Sequence, residues 1–338
     1  MDEIKPDFME YSNNLDESGE LTELSKVRAG KNIGGTTRKR FVRFRADAFN
    51  ELIEAMEQEG CSYVTYFDKL KKSGYKREDG YPFEYISAML KHTRLGKVRE
   101  MEVEELTSKL LNYFHIPTVY NKTFYLDGRP RTLSVDFLQG REQIVPMDHG
   151  NPSLEYNPIE QWHNFEQWDK GFRNTLANIM QKSFNKEENI EKIMKDIFKN
   201  YLYRGMLMGD FDYSSRNVML VYDPDKHEYK LAPNLDFEMS ISRLNGDKFD
   251  LYYKEMFDAI KTKYPDVFNE FLIDLVKFKK DKKVISLINS CVKDEQHRKD
   301  YYFTLRNNAR LILDHYTPIP TSYIGKLKQN VQDFILGK

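Results

Sequence analysis

The sequence has 338 residues, of which 40% are hydrophobic and 31% are charged, and its formal net charge is −1. A chain of this length can form one large or two moderate domains around a substantial core. The near-neutral charge argues against a general nucleic-acid binder, because such proteins carry a basic surplus. The two cysteines and seven histidines lack the spacing of a disulfide framework or a zinc site. We therefore expect a soluble, cytoplasmic globular protein that does not use a membrane.

Charge is unevenly distributed at the start of the chain. Residues 1–25 contain eight acidic residues and one basic residue, whereas residues 26–45 contain eight basic residues and no acidic one. The first segment lacks the basic start and apolar stretch of a signal peptide. We predict an acidic flexible tail over 1–25. Two interpretations of it stay open: a solvated surface, or a tail that folds back over the basic segment and competes with an anionic ligand.

A glycine-containing loop precedes a predicted strand at 41–45. Its central residues are Gly34, Gly35, Thr36 and Thr37. Glycine lets backbone N–H groups close on a phosphate, and threonine hydroxyls add donors, so the loop is a candidate phosphate-binding element. The next stretch, 46–80, has helical periodicity and indicates no chemistry, so we expect a helical insertion there.

The rest of the first half is predicted to contain three strands and one helix. The strands cover 85–91, 123–126 and 131–135, and the turn dipeptide Asp127-Gly128 joins the last two. The helix covers 102–114. A short linker at 136–140 then leads into the second half.

Helical patterns dominate the second half. An apolar stripe at helical spacing covers 190–202, and Asn185 with Glu188 has the spacing of a capping box. The two tryptophans, Trp162 and Trp168, are expected to pack in the core before this helix. Further helices are predicted at 251–262, 267–278, 284–292, 300–316 and 322–336.

The stretch 202–238 carries the clearest chemical pattern, because Asp212, Asn217 and Asp236 follow one another at a spacing suited to phosphoryl transfer. Between Asn217 and Asp236 the sequence predicts strand, polar turn and strand, and such a hairpin brings its two ends together. Transfer of a γ-phosphoryl group needs positioning, one base and oxygen ligands for Mg²⁺. Asp212 is the candidate base, and Asn217 and Asp236 are the candidate metal ligands.

Several segments resemble one known family. The run GDFDYSSRN at 209–217 resembles the G-N-x-D-x-H-x-K-N catalytic loop of HipA-like serine/threonine kinases, and LAPNLD at 231–236 resembles their L-A-P-x-Y-D metal-binding segment. GGTTRK at 34–39 is similar to their phosphate loop, and 104–117 is similar to their N-E…L-G-I-P pattern. Asp210 stands where the family has Asn.

The resemblance implies an α+β, two-lobed protein-kinase-like fold with a small β-rich N-lobe and a larger helical C-lobe. The predicted boundaries are 26–135 for the N-lobe, 136–316 for the C-lobe and 317–338 for a C-terminal extension. The implied activity is phosphorylation of Ser or Thr in a protein substrate, with ATP and with Mg²⁺ or Mn²⁺. An antitoxin or another regulatory partner, in a toxin–antitoxin or phage-defence setting, is also implied, and no specific nucleic acid is expected.

Residue roles follow from the same resemblance. Lys91, in AMLK at 88–91, would bind the α- and β-phosphates and pair with Glu104. Arg216 would help to neutralise the transferring group, and Thr36 or Thr37 would be an autophosphorylation site. The linker residues that would meet the adenine edge are Asp136, Phe137 and Leu138.

Two questions stay open from the sequence. Arg43, in FVRF at 41–44, and Lys97 compete with Lys91 as the residue that binds the phosphates. The D-x-x-x-x-N loop also occurs in phosphoinositide kinases, so a lipid or small-molecule kinase is an alternative function. A catalytically silent binding module is a third hypothesis.

Overall fold

A computed structural model describes most of the chain between residues 39 and 316. The described residues are 39–45, 85–92, 98–126, 129–135, 137–138, 142–147, 164–181, 183, 185–210, 213, 217–237, 239–244, 253–278 and 281–316. The predicted acidic tail, glycine loop, helical insertion and C-terminal extension lie outside these residues.

An antiparallel sheet of four strands forms the first part of the fold. The strands are β1 (Lys39–Arg45), β2 (Tyr85–His92), β3 (Asn121–Leu126) and β4 (Arg129–Val135), in the order β1-β2-β4-β3. The predicted hairpin of β3 and β4 is present, and Leu126 pairs with Arg129 at its turn. Within β2, Lys91 lies opposite Thr132 of β4.

Helix α1 (Val98–Tyr113) packs against this sheet and begins four residues before the predicted start. Met101 is buried, so the apolar face extends back into the first turn of the helix. Glu105 connects α1 to the sheet, because its Oε2 accepts a hydrogen bond from the backbone N–H of Thr123 in β3 at 2.9 Å. Successive side chains of a helix point in different directions around its axis, so Glu104 does not face the same partner as Glu105.

A second antiparallel sheet follows the linker. It consists of β5 (Gln143–Pro146), β6 (Met219–Asp223) and β7 (Glu228–Leu231), in the order β5-β6-β7. The β6–β7 hairpin was predicted, and its turn is held by Asp223, whose Oδ1 accepts the backbone N–H of Asp225 and of Lys226. Strand β5 was not predicted, because four residues ending in proline carry too little periodicity.

Helices make up the remainder. They are α2 (Phe165–Ile179), α3 (Lys186–Asn200), a π-helical segment (Tyr201–Leu207), α4 (Lys254–Lys263), α5 (Pro265–Phe278), α6 (Lys282–Cys291) and α7 (Glu295–Tyr316). The predicted helices from α3 to α7 are present, with ends shifted by up to five residues. Helix α2 was missed apart from its buried Trp168. Trp162 lies outside the described residues.

The predicted capping box at the start of α3 is wrong. Asn185 does occupy the N-cap position, but its φ is 50° and its side chain makes no capping hydrogen bond. An N-cap side chain reaches the first-turn N–H groups from extended backbone. In the left-handed conformation, which Asn tolerates better than most residues, that geometry is lost.

One large apolar core joins the helical part to α1. Near the end of α1 the ring of Phe114 lies 5.2 Å from that of Tyr203 and 5.4 Å from that of Phe278. The predicted α+β class, with a small β-rich part followed by a larger helical part, is confirmed. Among the residues that the structure describes, no helix is both long and apolar enough to cross a membrane.

Candidate active site

Lys91 lies between two carboxylates at the centre of the candidate site. Its Nζ is 2.6 Å from Oε1 of Glu104 in α1 and 2.8 Å from Oδ1 of Asp236, which follows β7. The side chains of Lys91 and Glu104 are 3% and 2% exposed, whereas that of Asp236 is 19% exposed. The structure therefore brings together three residues that the sequence pattern selected, and it leaves Asp236 as the side open to solvent.

The environment keeps Lys91 charged. Burial by itself lowers the pKa of Lys91, because a low-dielectric interior disfavours the ammonium form. The attraction of Glu104 and Asp236, and the hydrogen bonds to both, outweigh burial and raise the pKa above its usual range. The two carboxylates thus favour the charged form of Lys91.

The other two candidate cations, Arg43 and Lys97, stay alternatives to Lys91. Arg43 belongs to β1, where its backbone pairs with Ser87, and its side chain is not among the described ones. Lys97 lies outside the described residues. Because Lys91 is the described cation next to both Glu104 and Asp236, it remains the first candidate for the phosphates.

Backbone pairing with the segment after α1 holds Asp236 in place. The backbone N–H of Asn234 donates to the carbonyl of Pro117 at 2.8 Å, and the N–H of Val119 donates to the carbonyl of Asn234 at 2.9 Å. This short parallel pairing connects the chain after the second sheet with the chain that leaves α1. Asp236 itself has a φ of 65°. Non-glycine residues rarely adopt this conformation, and they do so where surrounding contacts impose it.

Arg204 is a component of the site that the sequence analysis did not single out. Its side chain is fully buried in the π-helical segment, and its Nε donates to Oδ2 of Asp210 at 2.7 Å. Its Nη2 donates to the backbone carbonyl of Asp236 at 2.7 Å. An available signal was the sequence YLYRGMLM at 201–208, in which one charge interrupts an apolar run. A buried charge needs partners, so such a residue is a candidate for a structural or functional role.

The candidate catalytic loop begins at Gly209, which has a φ of 60°. A Cβ at this position would lie 2.0 Å from the backbone oxygen of Ser242. The same two segments are hydrogen-bonded, since the N–H of Ile241 donates to the carbonyl of Met208 at 2.6 Å. Glycine at 209 therefore permits both the turn and the close approach of the chain that follows Asp236.

Asn217 and Asp236 lie on the two sides of the same end of the β6–β7 hairpin. Asn217 precedes β6 by two residues, and Asp236 follows β7 by five residues. Amide and carboxylate oxygens are hard ligands, and Mg²⁺ takes few of them from protein and completes its shell with water and phosphate oxygens. Within the described residues, no three His, Cys, Asp or Glu side chains come together as a metal site. The two side chains could supply oxygen ligands to Mg²⁺, and their role in metal binding stays a prediction.

The linker residues Phe137 and Leu138 belong to a small apolar cluster beside the second sheet. Phe137 is 8% exposed and packs with buried residues of both parts of the fold. The other buried members of this cluster are Val119, Val221 and Ala232. Apolar side chains can pack against the flat face of a base, and the adenine role of the linker stays a prediction.

The remaining predicted site residues lie outside the described part of the chain. They are Gly34, Gly35, Thr36, Thr37, Asp136, Asp212 and Arg216. Their predicted roles as phosphate loop, linker, base and charge-neutralising residue stay predictions.

Two bacterial proteins are among the solved structures that are similar to this chain. No protein-family model matches the chain. No curated protein matches it either. The proinflammatory kinase CtkA of Helicobacter pylori is similar over 69% of this chain and 86% of its own, with 14% identity and a TM-score of 0.48. HipA of the toxin–antitoxin system of Shewanella oneidensis MR-1, solved with HipB and operator DNA, is similar over 69% of this chain and 61% of its own, with 13% identity and a TM-score of 0.42. The structure is thus similar to those of a bacterial kinase and of HipA, the protein whose family the sequence motifs resemble.

Proposed function

We propose that this chain is a phosphotransferase that moves the γ-phosphoryl group of ATP to a Ser or Thr hydroxyl of a protein. The observation that carries the proposal is Lys91, a buried cation 2.6 Å from Glu104 and 2.8 Å from Asp236. Phosphoryl transfer depends on a positive charge that meets the phosphates and on an acidic residue that holds the metal beside them. The three residues supply both, and Glu104 fixes the lysine in place.

Each residue has one task in this proposal. Lys91 orients the α- and β-phosphates, while Asp236 and Asn217 provide oxygen ligands for Mg²⁺ or Mn²⁺. The bound cation neutralises charge on the phosphate oxygens. Asp212 orients the acceptor hydroxyl and takes its proton, and Arg216 offsets negative charge at the transferred group. Phe137 and Leu138, with the linker residue Asp136, receive the adenine.

The test is transfer of labelled phosphate from ATP by the full chain with Mg²⁺ or Mn²⁺, offered protein, lipid extract and small hydroxyl compounds in parallel. Labelling of protein that is lost in Asp212→Ala and Lys91→Met supports the proposal. Preferential labelling of lipid or of a small molecule indicates the alternative kinase class. No turnover, with ATP binding retained, would indicate a silent binding module.

A regulatory arrangement belongs to the same proposal. Thr36 or Thr37 is proposed as an autophosphorylation site, and phosphopeptide mapping after incubation with ATP tests it. We also propose a protein partner that restrains the kinase in a cytoplasmic toxin–antitoxin or phage-defence setting. The HipA structure contains HipB and operator DNA. The expectation that this chain binds no specific nucleic acid is not borne out by this comparison.

A further inference from the structure

Arg204 connects the two loops of the candidate active site. Its guanidinium makes three contacts with different partners: Nε donates to Oδ2 of Asp210 at 2.7 Å, Nη1 lies 3.4 Å from Oδ1 of Asn234, and Nη2 donates to the backbone carbonyl of Asp236 at 2.7 Å. Asp210 lies in the predicted catalytic loop, and the other two residues belong to the predicted metal-binding segment. One side chain therefore contacts both halves of the proposed catalytic machinery.

Two aromatic rings lie next to the guanidinium. The centroid of Tyr213 lies 4.9 Å from Cζ of Arg204, and that of Phe237 lies 4.8 Å from it. The side chains of Arg204 and Asp210 are both 0% exposed. A planar cation enclosed in this way cannot reach a phosphate, so Arg204 acts through the residues that it holds.

The pair also gives a reason for the acid at position 210. The family that the loop resembles has Asn there, and this chain has Asp. A carboxylate with no exposure requires a compensating charge. Arg204 supplies it through the direct contact of Nε with Oδ2. Asp210 and Arg204 therefore form a buried ion pair. The two Nη atoms of Arg204 are left to contact Asn234 and Asp236 in the predicted metal-binding segment.

We propose that Arg204 is a positioning residue that sets the backbone of Asp236 and the start of the catalytic loop relative to each other. The effect on catalysis rests on the proposed function. The connection between the two segments through Arg204 can be tested without measuring phosphoryl transfer. The bond to the Asp236 carbonyl fixes a peptide next to a residue with a φ of 65°. In this backbone conformation the Asp236 carboxylate reaches Lys91. A displacement of a catalytic group by about 1 Å can lower a reaction rate by roughly 100-fold.

The experiment compares Arg204→Lys with Tyr203→Phe in the full chain. Lysine keeps the charge next to Asp210, but its single nitrogen cannot replace the three separated donors of the fork. Tyr203 is the matched control, because it is equally buried in the same π-helical segment and its hydroxyl bonds to Asp274, away from the site. Both changes are expected to lower the melting temperature, so stability alone does not distinguish them.

Hydrogen exchange, metal affinity and transfer kinetics do distinguish them. Hydrogen exchange of peptides covering 204–210 and 234–241 should accelerate together in Arg204→Lys and stay as in the wild type in Tyr203→Phe. The apparent Kd for Mn²⁺ in the presence of ATP, and the metal concentration for half-maximal transfer, should rise several-fold only in Arg204→Lys. In the same variant kcat should fall by roughly 10- to 100-fold, with the KM for the protein acceptor unchanged.

The proposed function and the positioning role of Arg204 can fail independently. If the wild type transfers no phosphate, the proposed function fails, and the exchange data still decide the link between the loops. Acceleration confined to 204–210 would overturn the inference, as would an equal loss of Mn²⁺ affinity in Tyr203→Phe. If Arg204→Lys does not fold, Asp210→Asn takes its place, because it keeps an acceptor for Nε and removes only the charge. That variant should produce a smaller joint acceleration in both peptides, and acceleration in one peptide alone would count against the link.

Discussion

Lys91 and Asp236 are 145 residues apart in the sequence, and their side-chain charges meet at 2.8 Å. The lysine belongs to the first sheet and the aspartate follows the second, so the contact joins the two sheet-bearing parts of the fold. Together with Glu104 the two residues form a cluster with one positive and two negative charges. A divalent cation at Asp236 would therefore share this carboxylate with Lys91 and make the cluster positive, as triphosphate binding requires.

Removing the lysine should destabilise the fold. In Lys91→Met the buried carboxylate of Glu104 loses its ion pair with Lys91, and breaking a buried ion pair by removing one side costs about 3 kcal/mol of unfolding free energy. Urea denaturation at neutral pH measures the change. Lys122→Met is the control, because its Nζ lies 3.5 Å from Glu105 and its side chain is 39% exposed. A pair of this kind contributes less than about 1 kcal/mol. Equal losses in the two variants would show that Lys91 has no special electrostatic role.

Asp236 should be required for the effect of the metal. Asp236→Asn keeps the shape of the side chain but removes its charge, so phosphoryl transfer should fall by about 100-fold or more, and stabilisation by Mn²⁺ with ATP should disappear. Thermal unfolding with and without Mn²⁺ and ATP measures the second effect. Asp223→Asn makes the same change at the turn of the same hairpin, where the carboxylate accepts two backbone N–H groups. It should lower stability slightly and leave the metal response intact. A normal metal response in Asp236→Asn would remove this residue from the site.

A side chain at position 209 should disturb both the fold and the site. Gly209→Ala places a methyl group against the carbonyl of Ser242 and forces a φ of 60° on a residue with a Cβ, which costs roughly 1–3 kcal/mol before any clash is counted. The melting temperature and the transfer rate should both fall. Gly171 provides the contrast, because it lies inside α2 and has no positive φ. Alanine there should stabilise the helix by about 0.5–1 kcal/mol. A similar small gain in stability from Gly209→Ala would contradict a strained turn at this position.

The contact between Tyr113 and Asp281 should be visible as a pH dependence. Tyr113 Oη donates to Oδ2 of Asp281 at 2.6 Å, and the backbone N–H of Lys283 donates to Oδ1. The hydrogen bond from Tyr113 and then that from Lys283 lower the pKa of Asp281 below its ordinary value of 3.8. A lowered folded-state pKa means that the stabilisation is present above this value and is lost as the pH falls through the folded-state pKa.

Tyr113→Phe therefore has two expected effects. The pKa of Asp281, followed by carboxyl NMR, should move back toward its ordinary value. The difference in unfolding free energy between wild type and variant should be largest at neutral pH and shrink as the pH is lowered below about 4. A difference that grows on acidification would have the wrong sign for this contact.

Local patterns in the sequence were sufficient for most of the elements. The hydrophobic patterns of β2, of the β6–β7 hairpin and of α3 extend over enough residues to distinguish strand from helix. The same spacing argument selected Asp236 and Asn217 at one end of the hairpin. Short or interrupted elements such as β5 were missed, because their stability comes from a neighbouring strand rather than from their own periodicity.

The choice among candidate residues required contacts over long distances in the chain. Sequence alone left Lys91, Arg43 and Lys97 as alternatives, whereas the fold brings Lys91 to Glu104 and Asp236. Arg204 has no motif around it, and its importance follows from burial and from partners up to 32 residues away. Periodicity and spacing report on neighbours along the chain. The burial and charged neighbours of a side chain depend on segments that only folding brings together, so only the tertiary structure shows that Lys91 lies between Glu104 and Asp236.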